Sequence, residues 1–293
     1  MSHLLGLIGI GIVSLLTIIV TFYCPKITRL LITALFLRVT LLLLGNYGIE
    51  LPDSSGDARS FQGLAWNIAS DGFVNAINQF PGFDANSMSW IIGLIYSLTG
   101  RSLIMAQSIS LFFGMGSIFL GFLIVRRIWD ERSAIKVGWF FALYPSLILY
   151  SCLTLREAYV WFFLLVAIYG IVIWAENKSL KSIIISMTGF MGAAFFHGPM
   201  ILGALTFVMI IFFEKLKLSL KLIKNFKIDL YAIIVILIII FLIIFFIGKN
   251  INIPKIGTFK DAIDFEYILE IIKFRSVGDA AYPNWLIPNS IVE

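Results

Sequence analysis

Between Glu50 and Ser89 the chain carries five carboxylates, Glu50, Asp53, Asp57, Asp71 and Asp84, in a sequence otherwise dominated by apolar runs. Hydrocarbon demands apolar side chains and an internally satisfied backbone, and it does not explain such acids. A carboxylate can take the proton of an attacking hydroxyl or orient an acceptor, so chemistry is expected here. The densest stretch reads Asp53-Ser54-Ser55-Gly56-Asp57-Ala58-Arg59-Ser60-Phe61. Asp57 has two readings. With Ser55 as cap it falls in the first turn of a helix, where free N–H groups favour an anion. Alternatively it is the reactive acid. Asp53, Asp71 and Asp84 read as solvated loop acids.

Three other places hold polar groups with chemical potential. Arg156-Glu157 follows Leu153-Thr154-Leu155 at the mouth of an apolar run. The two residues form either an interfacial ion pair or a phosphate contact in which Glu157 orients Arg156, whose planar fork donates two hydrogen bonds at once. His197 occupies a break, His197-Gly198-Pro199, and is either a structural turn residue or an imidazole facing the same side as Asp57. Arg38 lies near the middle of the second apolar run. An ionisable group in lipid is costly, so either a neighbouring helix satisfies it or it serves function.

The elements that must position these residues follow from composition. Of 293 residues 60% are hydrophobic and 13% charged, against roughly 25% charged in soluble domains. The chain is therefore expected to be an all-α, polytopic membrane protein. The net charge of +5 does not indicate nucleic-acid binding, because the excess Lys and Arg fall in short loops between apolar runs, where they set orientation. Cys24 and Cys152 lie outside metal-ligand and CxxC spacings and read as small apolar fillers on opposite sides of the membrane. No residue is assigned to a metal or a cofactor, and metal dependence is left open. The run from Leu4 to Phe22 lacks a basic leader and a small-residue cleavage site, so it reads as a retained helix.

About twenty apolar residues cross a bilayer. That criterion predicts spans at 5–22, 29–46, 103–126, 133–151, 157–174 and 230–248. The run 183–213 is too long for one crossing and is split at His197-Gly198-Pro199 into two short spans. The segment 88–99 is too short and suits an interfacial or re-entrant helix. Basic residues cluster at 26–29, 126–136, 178–181 and 215–227. Eight spans put all four clusters on one side, which the positive-inside rule requires, and put the acidic loop 47–88 on the outer face. Within that loop Ala58, Phe61, Leu64, Ala65 and Ile68, then Phe73, Val74, Ile77 and Phe80, recur at helical spacing and predict two amphipathic helices on the membrane surface. The organisation expected is an N-terminal helix over 1–28, a transmembrane module over 29–248 with interfacial helices in loop 47–102, and an outer tail over 249–293.

The order of landmarks resembles the GT-C class of membrane glycosyltransferases, which includes protein mannosyltransferases and the aminoarabinose transferase of lipid A. The landmarks are Gly56-Asp57-Ala58-Arg59-Ser60-Phe61 in an acidic first outer loop, Trp90-Ile91-Ile92-Gly93 through Thr99-Gly100-Arg101-Ser102, Val125-Arg126-Arg127-Ile128-Trp129-Asp130-Glu131-Arg132 at a span end, and Ala142-Leu143-Tyr144-Pro145-Ser146. They cover roughly residues 29 to 213. The resemblance implies inverting transfer of a sugar from a polyprenyl-phosphate carrier to a glycan or lipid acceptor on the outer face of the plasma or inner membrane. It implies Asp57 as the base, and Arg156 and His197 as carrier-phosphate contacts, with Arg59, Arg38 and Glu157 as further substrate-binding candidates. Members of the class are often longer, with more spans and an outer C-terminal domain, so the chain reads as a truncated product, a fragment or a short paralogue. Two alternatives stay open: an envelope polysaccharide polymerase or ligase using the same carrier, and a transporter or flippase of lipid-linked glycans. The latter class often shows internal repeats and midplane charges, whereas here the charges gather at span ends, Arg38 apart.

Overall fold

Apolar runs long enough to satisfy their own backbone in lipid fold as helices, and helix is the regular structure throughout the described residues. The computed structural model describes residues 2–223 and 266. The helices are α1 (Ser2–Tyr23), α2 (Thr28–Tyr47), α3 (Asp57–Ser70), α4 (Phe73–Asn78), α5 (Ser87–Thr99), α6 (Leu103–Ile128), α7 (Glu131–Leu143), α8 (Pro145–Cys152), α9 (Glu157–Asn177), α10 (Leu180–Phe196) and α11 (Ile201–Ile223). The chain divides into two compact units, 1–204 and 205–293. In the second unit α11 continues as an apolar helix.

Five helical segments are long and apolar enough to cross a membrane: Leu4–Tyr23, Pro25–Tyr47, Leu103–Ile128, Glu157–Asn177 and Gly198–Leu216. The pair α7 and α8 adds a sixth if the two halves are one broken span, bent by 57°. The expected count of eight is thus not reached among the described residues. The predicted span 230–248 lies outside them, and α10, at 17 residues, is one of the shorter apolar helices. Pro145 explains the break in 133–151, since it removes a donor and its ring opposes a continuing helix. It stands at the first position of α8, where a missing N–H costs nothing. As expected, α5 is short: its 13 residues span about 20 Å at about 1.5 Å per residue, less than the hydrocarbon thickness.

Local capping sets the boundaries. The Ser102 hydroxyl accepts from the Met105 N–H at the start of α6, and the Asp130 carboxylate accepts from the Ser133 N–H at 2.7 Å at the start of α7. The Ser179 hydroxyl does the same for α10, accepting from the Ser182 N–H at 3.3 Å. The expected cap of α3 is corrected. Gly56, not Ser55, precedes the first turn, no side chain caps it, and Asp57 is the first helical residue.

Two ion pairs bring the basic turns at 26–29, 126–136 and 178–181 to one end of the first unit. Lys26 meets Glu131 at 2.8 Å, and Arg127 meets Glu176 at 2.8 Å, which ties the turn before α2, the junction of α6 and α7, and the end of α9 together. The opposite end carries α3, α4 and α5, the turn between α8 and α9, and the His197 break. There α3 packs its apolar face inward: Ala65 and Ala69 join Met88, Ile92, Tyr96, Ala158, Tyr159 and Phe196 in one cluster. Its outward face is polar apart from Trp66. By contrast α4 leaves Phe73, Val74 and Ile77 exposed, so of the two helices expected on the surface only α4 presents an apolar side. α9 and α10 pack closely against each other. A Cβ added at Gly170 would meet the Ser186 backbone, and one at Gly189 would meet the Ala167 backbone. Small residues at a helix interface let backbones approach in this way.

Candidate functional site

The break between α7 and α8 leaves the last carbonyls of α7 without helical partners. Arg38, projecting from the middle of α2, supplies them. It donates to Ala142 O at 2.9 Å, to Phe141 O at 3.1 Å, to Ser151 Oγ at 3.0 Å and to Ala34 O at 3.3 Å, and it is 1% exposed. A cation at a helix C-terminus is electrostatically favourable. Arg38 therefore has the structural partner that a charge in hydrocarbon requires, while it also lies in the wall of a cavity.

That cavity measures about 450 Å³, within the range of roughly 300–1,000 Å³ typical of small-molecule sites. Its walls come from α2, α6, the end of α7, α8, the start of α9 and the His197 break. Most of the lining is apolar, with Ile118, Phe141, Leu147, Val160 and Leu164 among the contributors. The polar part is Arg38, Ser117, Tyr150, Ser151, Arg156, Glu157, Trp161 and His197. The two arginines outnumber the single carboxylate, so the cavity as a whole favours an anion.

Each charged group is held by the fold in a definite way. Arg156 closes the turn between α8 and α9, with its Nε 3.5 Å from Glu157 Oε1 and its guanidinium 6.0 Å from the ring centroid of Phe61 on α3. Glu157 is the first residue of α9, and its side chain is 42% exposed. Its other oxygen, Oε2, is shielded and has no hydrogen-bond partner among the described residues. Trp161, one turn further along α9, likewise has an unpartnered indole N–H. His197 ends α10: its N–H donates to Ala193 O at 2.9 Å and its carbonyl accepts from Met200 N.

The structure thus brings Arg38, Arg156, Glu157 and His197 to one cavity, although they lie far apart in sequence. It does not bring Asp57 or Arg59 to its lining; both are exposed on α3. Asp57 still lies close to the site in the fold. Ala58 packs with Leu153 and Leu155, and helical spacing puts Asp57 on the same side of α3 as Phe61, one turn before it. The contributions of Trp161, Tyr150, Ser151 and Ser117 were missed in the sequence. Trp161 alone left a signal, its i+4 spacing from Glu157. Cys24 and Cys152 are free thiols, and Cys152 is buried with its Sγ 3.2 Å from Arg38 O. Among the described residues no group of three or more His, Cys, Asp or Glu could hold a metal.

Comparison with known proteins gives no matching protein-family model, no matching curated protein and no matching solved structure.

Proposed function

We propose that the chain is a membrane glycosyltransferase that moves a sugar from a polyprenyl-phosphate carrier to a glycan or lipid acceptor, with inversion at the anomeric carbon. The observation that carries the proposal is the cavity. It combines a cation, Arg156, and the imidazole of His197, from separate elements, with walls that are mostly apolar. An amphiphile with an anionic head needs that combination. The phosphate meets Arg156, whose fork matches its oxygens, and His197 adds charge when protonated. As the sugar departs from the phosphate, negative charge grows on the leaving oxygen, and fixed cations stabilise it. A carboxylate must accept the proton of the attacking hydroxyl; the GT-C resemblance implies Asp57, which stands on the α3 side of Arg156.

The positive-inside rule, applied to the basic end tied by Lys26–Glu131 and Arg127–Glu176, favours the cavity end, with the acidic loop, as the outer face of a plasma or inner membrane. The donor is then a lipid-linked sugar in the outer leaflet, and the acceptor is an envelope component.

Reconstitution with labelled polyprenyl-phosphate sugars tests the proposal. Wild-type protein should transfer label to an acceptor, and Arg156→Ala should lower transfer by about a hundredfold or more. Movement of the labelled lipid across the bilayer without any transfer would overturn it in favour of a flippase.

A further inference from the structure

We infer that Glu157, rather than Asp57, is the carboxylate that takes the proton from the acceptor hydroxyl. The inference rests on the glycosyltransferase reading of the cavity. The anomeric carbon is joined to the carrier phosphate through one oxygen, so a phosphate seated on Arg156 and His197 fixes the reacting carbon inside the cavity. The base must then reach, within hydrogen-bond distance, a hydroxyl that attacks that carbon. Among the carboxylates of the described residues, Glu157 alone lines the cavity. Asp57 does not, and it stands exposed at the start of α3.

The immediate geometry suits the role. Arg156 Nε lies 3.5 Å from Glu157 Oε1, beyond the ordinary length of a charge-assisted hydrogen bond. The terminal nitrogens of Arg156 can therefore turn to a phosphate while Glu157 stays beside them. The carboxylate is not tied up elsewhere, because Oε2 accepts no hydrogen bond from the described residues. With 42% of its side chain exposed, Glu157 can rotate toward an incoming hydroxyl.

In the step itself the acceptor oxygen bonds to the anomeric carbon while the bond from that carbon to the phosphate oxygen breaks. The electron pair of the broken bond stays on the phosphate, facing Arg156. The hydroxyl proton passes to Glu157 and leaves to solvent afterwards. The products are the new glycoside and the free polyprenyl phosphate, and no oxidation or reduction occurs.

The test compares Glu157→Gln, Glu157→Asp and Asp57→Asn in full-length protein, with transfer from labelled polyprenyl-phosphate sugars and binding of farnesyl phosphate measured side by side. Glu157→Gln should lower the transfer rate by about a hundredfold or more while binding farnesyl phosphate within about threefold of wild type. That binding also shows that the variant is folded. Glu157→Asp should recover part of the rate, and Asp57→Asn should lose less than about tenfold. Transfer that survives in Glu157→Gln, or farnesyl phosphate binding that falls in step with transfer, overturns the inference and leaves the glycosyltransferase reading standing. Wild-type protein that binds farnesyl phosphate but transfers no sugar overturns the reading and the inference together.

Discussion

Arg38 meets the cost of a cation in hydrocarbon by donating to two carbonyls at the end of α7, to its own Ala34 carbonyl and to Ser151. Replacing it with an apolar side chain of similar length leaves the Phe141 and Ala142 carbonyls at the end of α7 without that donor. Each such group costs about 1–3 kcal/mol, so Arg38→Met should destabilise the protein by about 3 kcal/mol, read as a lower unfolding midpoint in detergent. Arg38→Lys keeps the charge but not the fork, and should recover only part of the loss. Equal midpoints for Arg38→Met and wild type would show that the carbonyls find other partners. The sequence marked Arg38 as costly and left two outcomes open. It could not choose between them because the answer depends on a helix break more than a hundred residues away.

Elements respond to different forces. α9 and α10 touch through glycines whose added Cβ atoms would strike backbone rather than flexible side chains. Backbone cannot yield as a side-chain tip can, so Gly189→Leu should cost about 3 kcal/mol, the upper part of the overpacking range, whereas Gly11→Leu, with nothing within 4 Å of the added Cβ, should be nearly neutral. A thermal-shift comparison of the two checks the prediction. At the start of α7, Asp130 is held below the ordinary carboxylate value of 3.8 chiefly by the Ser133 backbone N–H, helped by the Ser133 hydroxyl and the nearby Lys136. Because the folded value is the lower one, its contribution to stability is complete above about 3.8 and is lost as pH falls through the folded value. Asp130→Asn caps without titrating, so the difference between wild type and variant should shrink on acidification, as followed by helix content. A difference constant with pH would remove the carboxylate from that role.

At the scale of the molecule, orientation and site are linked, because the two ion pairs gather the basic turns at one end while the cavity residues Arg156 and His197 come from turns at the other. With Cys24→Ser and Cys152→Ala as background, cysteines introduced at Arg101 and Arg132 should react with a membrane-impermeant maleimide from opposite sides of intact cells or vesicles, Arg101→Cys from outside. Labelling of both from one side would contradict the proposed topology. The same arrangement accounts for what was legible in advance. Periodicity revealed α3 and α4, and length separated α5 from the crossing helices, because both properties are local. The break at Pro145 was not anticipated within 133–151, although proline is a strong local signal; the apolar run on both sides of it masked the bend.

The sequence by itself determined that the chain is helical and apolar enough for a bilayer, where its basic turns lie, and which polar residues lipid cannot explain. These follow from composition and from periods of a few residues, which hold whatever the chain packs against. Only the tertiary structure decided which of those residues meet. Arg38, Arg156, Glu157 and His197 share a cavity because a bent helix, a tight turn and a second break converge there, and Asp57 lies outside its lining because α3 packs its apolar face inward and starts at the exposed edge. Contacts between residues a hundred positions apart depend on packing, and no local pattern encodes them.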